Sequence, residues 1–122
     1  MSAFYQWGRV AEEEALDFFK KKTRARLLCR NFRAKSGEID LIFEEELHSP
    51  GPLELVFVEV RARALGSAIR GIESVDLRKR AKIKRAIRAY LSNYEGPCQS
   101  MRFDVLDWDG RGWLHIRNQR LE

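Results

Sequence analysis

Three scarcities in this sequence each remove a class of protein. Among 122 residues there are two cysteines, Cys29 and Cys98. They lack metal-ligand spacing and resemble no disulfide framework, which sets aside zinc modules and stapled secreted folds and leaves two free thiols of a reducing compartment. There are two histidines, His48 in a loop-like segment and His115 in a strand-like one; standing alone, neither makes a site. Long apolar runs are missing: the longest stretch, Leu55 to Val58, is far too short to cross a bilayer. The N-terminal region carries Glu12, Glu13 and Glu14 and shows no signal-peptide pattern. Repeats and low-complexity tracts are also absent. The expectation is a soluble, cytoplasmic protein without a membrane partner.

What is present is enough for one core. The hydrophobic fraction is 44%, and a chain of this length buries roughly two-thirds of its unfolded surface. A single domain over residues 1–122 is expected. Net charge is +5, but it is unevenly placed. Residues 1–60 hold nine basic and eleven acidic side chains, whereas residues 61–122 hold fourteen basic and seven acidic. A basic half beside an acidic half suits a polyanion partner; the alternative is a solvated basic helix.

Periodicity predicts the elements. Phe4, Trp7, Ala11, Ala15 and Phe18 recur at three- and four-residue steps, so 3–22 reads as a helix closed by Lys20, Lys21 and Lys22. Glu12 falls at the border of its buried face. Residues 25–33 read as a strand, and Ser36-Gly37 as a turn. From Glu38 to Phe43 the pattern alternates, with Glu38, Asp40 and Ile42 on one face and Ile39, Leu41 and Phe43 on the other. Residues 44–53 read as a loop, and 54–61 as a strand covered on both faces. After a connector at 64–74, Ile83, Ala86, Ile87, Tyr90 and Leu91 define a helix over 75–92. Seven basic residues crowd it, with no acid between Leu77 and Tyr94. Gly96-Pro97 stops it. Met101 to Trp108 and Trp113 to Ile116 form a hairpin about Asp109-Gly110, with Trp108 and Trp113 as a cross-strand pair. The order is α-β-β-β-α-β-β, a mixed α/β fold.

Chemistry is suggested by two carboxylates in half-buried strands. Asp40 follows Ile39, and Glu59 lies between Val58 and Val60. A hairpin connection would set these strands side by side. Carboxylates brought that close repel unless a cation lies between them. Oxygen ligands of this kind suit Mg²⁺ or Mn²⁺. The competing reading is a salt-bridge network, Glu59 with Arg61 or Arg63 and Asp40 with Arg33 or Arg102.

The run Gly37-Glu38-Ile39-Asp40-Leu41-Ile42, followed by Val56-Phe57-Val58-Glu59-Val60-Arg61, resembles the pattern of the YraN-like family of bacterial proteins. Asn31-Phe32-Arg33, the basic helix 75–91, Arg102-Phe103-Asp104-Val105 and Trp7-Gly8-Arg9 with Glu12 resemble further motifs of that family, although Ala11 stands where it has a second glycine. The resemblance covers roughly residues 7–117, and its specificity comes from several motifs in order. That family is similar to the PD-(D/E)xK nucleases, near archaeal-type Holliday junction resolvases. The resemblance implies a restriction-endonuclease-like core, a mixed sheet with flanking helices. It implies structured, even branched, DNA as partner, a homodimer suited to a two-fold junction, and Mg or Mn as cofactor.

Carried over residue by residue, the resemblance makes Asp40 and Glu59 metal ligands, with the Val60 carbonyl and Glu12 completing the shell. Glu38 is the least defined member. The lysine that follows the second acid in such nucleases is replaced here by Arg61. Arginine can hold a phosphate bidentately but, with a pKa above about 12, cannot act as a general base. Three readings stay open: Arg61 does the electrostatic work alone, another lysine has taken over, or the site binds nucleic acid without cutting. Lys79, one turn before Ile83, is the candidate for the displaced lysine; its alternative is a snorkelling edge residue. Arg78, Lys79, Arg80, Lys82 and Arg85 are the expected phosphate contacts, with Lys82 and Lys84 pointing to the flanks of the helix.

Overall fold

The computed structural model describes residues 3–35, 37–62 and 77–121. The elements are α1 (Ala3–Lys22), β1 (Ala25–Ala34), β2 (Gly37–Glu46), β3 (Leu53–Ala62), α2 (Leu77–Ser92), β4 (Ser100–Trp108) and β5 (Trp113–Ile116). One five-stranded sheet runs β1-β2-β3-β4-β5. Its neighbours pair antiparallel except β3 and β4, which are parallel. Parallel neighbours need a crossover, and α2 lies in the connection that supplies it. The expected connector 64–74, residues 75 and 76, Arg63 and Ser36 lie outside the described residues. No helix among the described residues is long and apolar enough to cross a membrane.

The side-chain period of two in β3 feeds two cores. Leu55 and Phe57 face α2 and join Ile42, Phe103, Val105, Ile83, Ala86 and Ile87. Val56 and Val58 face α1 and join Leu41, Phe43, Leu106, Ala15, Leu16 and Phe19. The Phe19 and Phe43 rings stack at 4.4 Å. Among the described side chains of α1 the buried stripe is Ala11, Ala15, Leu16 and Phe19; Phe18, expected in it, lies on a half-buried flank against Trp113, and the side chains of Phe4 and Trp7 lie outside the described ones. In α2, Leu91 is 37% exposed rather than part of the core. Thr23 closes α1 by donating its hydroxyl to the Phe19 carbonyl at 2.7 Å. Trp108 and Trp113 are register partners with ring centroids 5.3 Å apart, as expected.

Two further expectations, both about β2, differ from the structure. The loop predicted over 44–53 is shorter, because β2 continues to Glu46 and only 47–52 form the turn. Glu44 and Glu45 stay in the strand because cations meet them: Arg26 on Glu44 and Arg102 on Glu45, each at 2.6 Å. The second correction concerns the alternation within β2. Ile39 does not share a face with Leu41 and Phe43 but packs in the α2-side core with Ile42. Strict alternation is broken between Ile39 and Leu41. Opposite this point β1 carries Asn31 at φ 52°, a left-handed conformation asparagine tolerates. The β2–β3 ladder also ends here, at Leu41–Val58.

Candidate acidic site and its basic flank

The break in alternation forms the site. One further rung of the β2–β3 ladder would set Asp40 opposite Glu59. Instead, Asp40 Oδ2 accepts the Val60 N–H at 2.8 Å. The side chain supplies the acceptor for a backbone donor that the ladder no longer satisfies. Asp40 is pushed up to about 8, first by burial and then by the charge of Glu59, with smaller pushes from Glu12 and Glu38; the Val60 N–H opposes them. Glu12 is raised as well, chiefly by burial, with Glu38 and Glu59 adding to it and the Asn31 side chain and Arg30 working against it. Four carboxylates therefore act on one another. Asp40 forms no ion pair among the described residues: Arg33 meets Glu38 at 3.5 Å, and Arg102 is engaged elsewhere.

Glu59 is the carboxylate with cations. Lys79 Nζ lies 3.0 Å from its Oε1, and Arg61 Nη2 lies 3.5 Å from the same oxygen. α2 thus carries Lys79, the candidate for a displaced lysine, to within ion-pair distance of the second acid. Gly37 permits this. A Cβ there would collide with the Lys82 carbonyl, so only glycine lets the start of β2 pass this close to α2. Arg61 is only 18% exposed, and its Nε and Nη2 have no hydrogen-bond acceptor among the described residues. Asp107, its register partner on β4, is 1% exposed. Sequence reasoning passed over Asp107. The signal was a second acid at the same parity as Phe103 and Val105.

Two recesses share a wall made by Arg33 and Glu38. A recess of about 680 Å³ is lined by Glu12, Glu13, Asn31 and Asp40. One of about 710 Å³ is lined by Glu59 with Lys35, Arg78, Lys79, Lys82 and Arg85. Lys82, expected on a flank, thus opens into the same recess as Lys79, whereas Arg80 is not among its lining residues. Val60 enters through its N–H. Glu38 is exposed. Among the described residues, no three histidine, cysteine, aspartate or glutamate side chains form a ready-made metal cage.

A second polar cluster was missed. Arg102, named above as an alternative partner for Asp40, donates through Nε to Asp104 at 3.0 Å and meets Glu54 and Glu45 through Nη1. His115 Nε2 lies 2.7 Å from Asp104 Oδ2, and the Asn118 N–H donates to Oδ1 at 2.9 Å. Burial would raise Asp104, but His115, Arg102 and the Asn118 amide outweigh it and hold the carboxyl below its usual range. His115 therefore belongs to a buried network and stands outside the acidic site.

The described structure is a mixed α/β protein with a five-stranded sheet, two helices, a group of interacting carboxylates and a basic helix beside it. The chain belongs to Uncharacterised protein family UPF0102, whose model matches residues 11–107. That range runs from the turn of Glu12 to Asp107. It is similar to a UPF0102 protein of Halorhodospira halophila, 40% identical over 113 residues that cover 93% of this chain and 85% of the relative. It is also similar to UPF0102 proteins of Ralstonia nicotianae, 36% identical over 106 residues (84% and 77%), and of Legionella pneumophila, 36% identical over 112 residues (88% and 89%).

Proposed function

We propose that this chain is a metal-dependent nuclease-like protein of the PD-(D/E)xK type, with a restriction-endonuclease-like core, which binds structured DNA and hydrolyses phosphodiester bonds. The observation that carries the reading is the 3.0 Å contact of Lys79 with Glu59, beside a half-buried Asp40 that Glu59 repels. An acid raised by desolvation and then by its neighbour's charge belongs to a donor set that a divalent cation would relieve. Asp40, Glu59, the Val60 carbonyl and Glu12 are the groups that would hold Mg²⁺ or Mn²⁺, which supplies Lewis acidity at the phosphate and a lower pKa for bound water.

The chain's own residues supply the rest. Lys79 offers a mobile cation within reach of Glu59, suited to orienting an attacking water and to offsetting charge that builds on phosphate. Arg61 adds a fixed charge, with Nη2 in ion-pair range of Glu59 and Nε without a hydrogen-bond acceptor among the described residues. Arg78, Lys82 and Arg85 line the same recess and would hold flanking phosphates, giving affinity without sequence reading. Val60 holds Asp40 in place through its N–H.

One observation favours a second reading, a binding module that does not cut. Glu59 already meets two cations, Lys79 and Arg61, which balance it without metal. Incubation with branched and linear DNA, with Mn²⁺ or with chelator, separates the two. Metal-dependent product that disappears in Asp40→Ala and Glu59→Ala supports the nuclease. Retained DNA without product, under all conditions, supports the binding module.

A further inference from the structure

Another recess, of about 560 Å³, opens on the opposite flank of α2 from Glu59, between that helix, the start of β4 and residues 118–121. Its floor is apolar: Ile87, Leu91, Met101, Phe103 and Leu121. Ile87 and Phe103 are buried, but Leu91 and Met101 remain 37% and 38% exposed. Its rim is basic. Lys84, Arg88 and Arg120 line it, and no aspartate or glutamate among the described residues does. These three cations form no ion pair among the described residues, in contrast to Arg26, Arg30 and Lys79.

We propose that this recess is a docking groove for a short acidic peptide segment of a partner protein, with one apolar anchor on the floor and carboxylates on the Lys84, Arg88 and Arg120 rim. Charge complementarity selects the acid, because every charged side chain lining the groove among the described residues is a cation. The exposed Leu91 and Met101 select the apolar anchor, and methionine adapts its shape to an incoming side chain. The span fits: Lys84 to Leu91 covers roughly 10 Å of helix, the length of about three extended residues. Three cations at separate points, two on the helix and one on the tail, match distributed carboxylates better than one headgroup. Nucleic acid fits less well, since the one aromatic residue on the floor, Phe103, is only 3% exposed and offers no face for base stacking. The groove is independent of the Glu59 recess and does not rest on the nuclease reading.

The test is an amide-resolved NMR titration of the full chain with a capped heptapeptide, a leucine flanked by aspartates. The expected result is saturable shifts confined to residues 84–91, 101–103 and 118–121. Binding should weaken about tenfold or more when asparagines replace the aspartates, and equally in an Arg88→Glu/Arg120→Glu variant. Both side chains are exposed, so that variant should unfold at the wild-type midpoint; Arg88→Gln/Arg120→Gln serves if it does not. No shifts at millimolar peptide would overturn the proposal. So would equal binding by the neutral peptide or the charge-reversed variant, or the same amides responding to duplex DNA or decyl phosphate but not to peptide.

Discussion

Lys79 and Glu59 meet at 3.0 Å across the gap between α2 and β3. The lysine side chain is 38% exposed and the carboxylate 9%, so the pair has one wet and one dry partner. Lys79→Ala should cost only about 1 kcal/mol of stability, because solvent screens the lysine and Arg61 still faces Glu59. It should reduce any Mn²⁺-dependent cleavage by about a hundredfold or more. Urea midpoints and cleavage rates, measured on the same preparations, check both halves. Unchanged cleavage would remove Lys79 from the proposed chemistry.

Asp40 makes the fold pH-sensitive in an unusual direction. Its carboxyl is raised to about 8 in the folded chain from an ordinary 3.8. The folded state therefore holds a proton that the unfolded state has lost, and this group destabilises the fold progressively as pH rises from about 4 to about 8. Below that window both states are protonated and the effect vanishes. Asp40→Asn, which can still accept the Val60 N–H, should stabilise the chelator-treated protein at pH 8 and have little effect near pH 4. Equal changes in unfolding midpoint at both pH values would contradict this.

Gly37 sets the distance between β2 and α2. Gly37→Ala drives a methyl into the Lys82 carbonyl, a backbone atom that cannot rotate away. The expected cost is about 1–3 kcal/mol, with α2 displaced and the Lys79–Glu59 contact lengthened. Chemical denaturation reports the first, and a crystal structure of the variant the second. A neutral substitution would mean that the helix slides freely over the sheet.

The buried network predicts a contrast between two arginines. Arg102 is 4% exposed and faces Asp104, Glu45 and Glu54. Arg102→Ala leaves buried carboxylates without their cation and should cost about 3–5 kcal/mol. Arg26 is 73% exposed on its pair with Glu44, and Arg26→Ala should cost about 1 kcal/mol or less. Similar losses for both would show that burial does not govern these pairs.

The elements were legible because most of their patterns are carried by burial. The valines of β3 and the Ile83-Ala86-Ile87 stripe of α2 could face only inward. What escaped the sequence was set by partners far along the chain. Three consecutive glutamates read as a loop until Arg26 and Arg102 are placed beside two of them. Period two put Ile39 with Leu41, and nothing local announces the reversal at Asn31 and Asp40. Asp40 and Glu59 were legible as charges in apolar strands. Their surroundings were only partly so: Lys79 was singled out from helical spacing and Asp107 could have been from its parity, whereas the Arg61–Asp107 register and the Asp104–His115 pair follow no local spacing.

On the proposed reading, Asp40 and Glu59 together hold a divalent cation. Thermal unfolding during a Mn²⁺ titration at pH 8 tests it most directly, read in parallel on wild type, Asp40→Asn and Glu59→Gln. Binding to the folded state alone adds about 2.7 kcal/mol at a hundred times Kd, a shift on the order of 10 °C for a domain of this size. The expected result is that shift in wild type and its loss in both variants. An unfolding temperature that ignores saturating Mn²⁺, or moves equally in all three proteins, would contradict it.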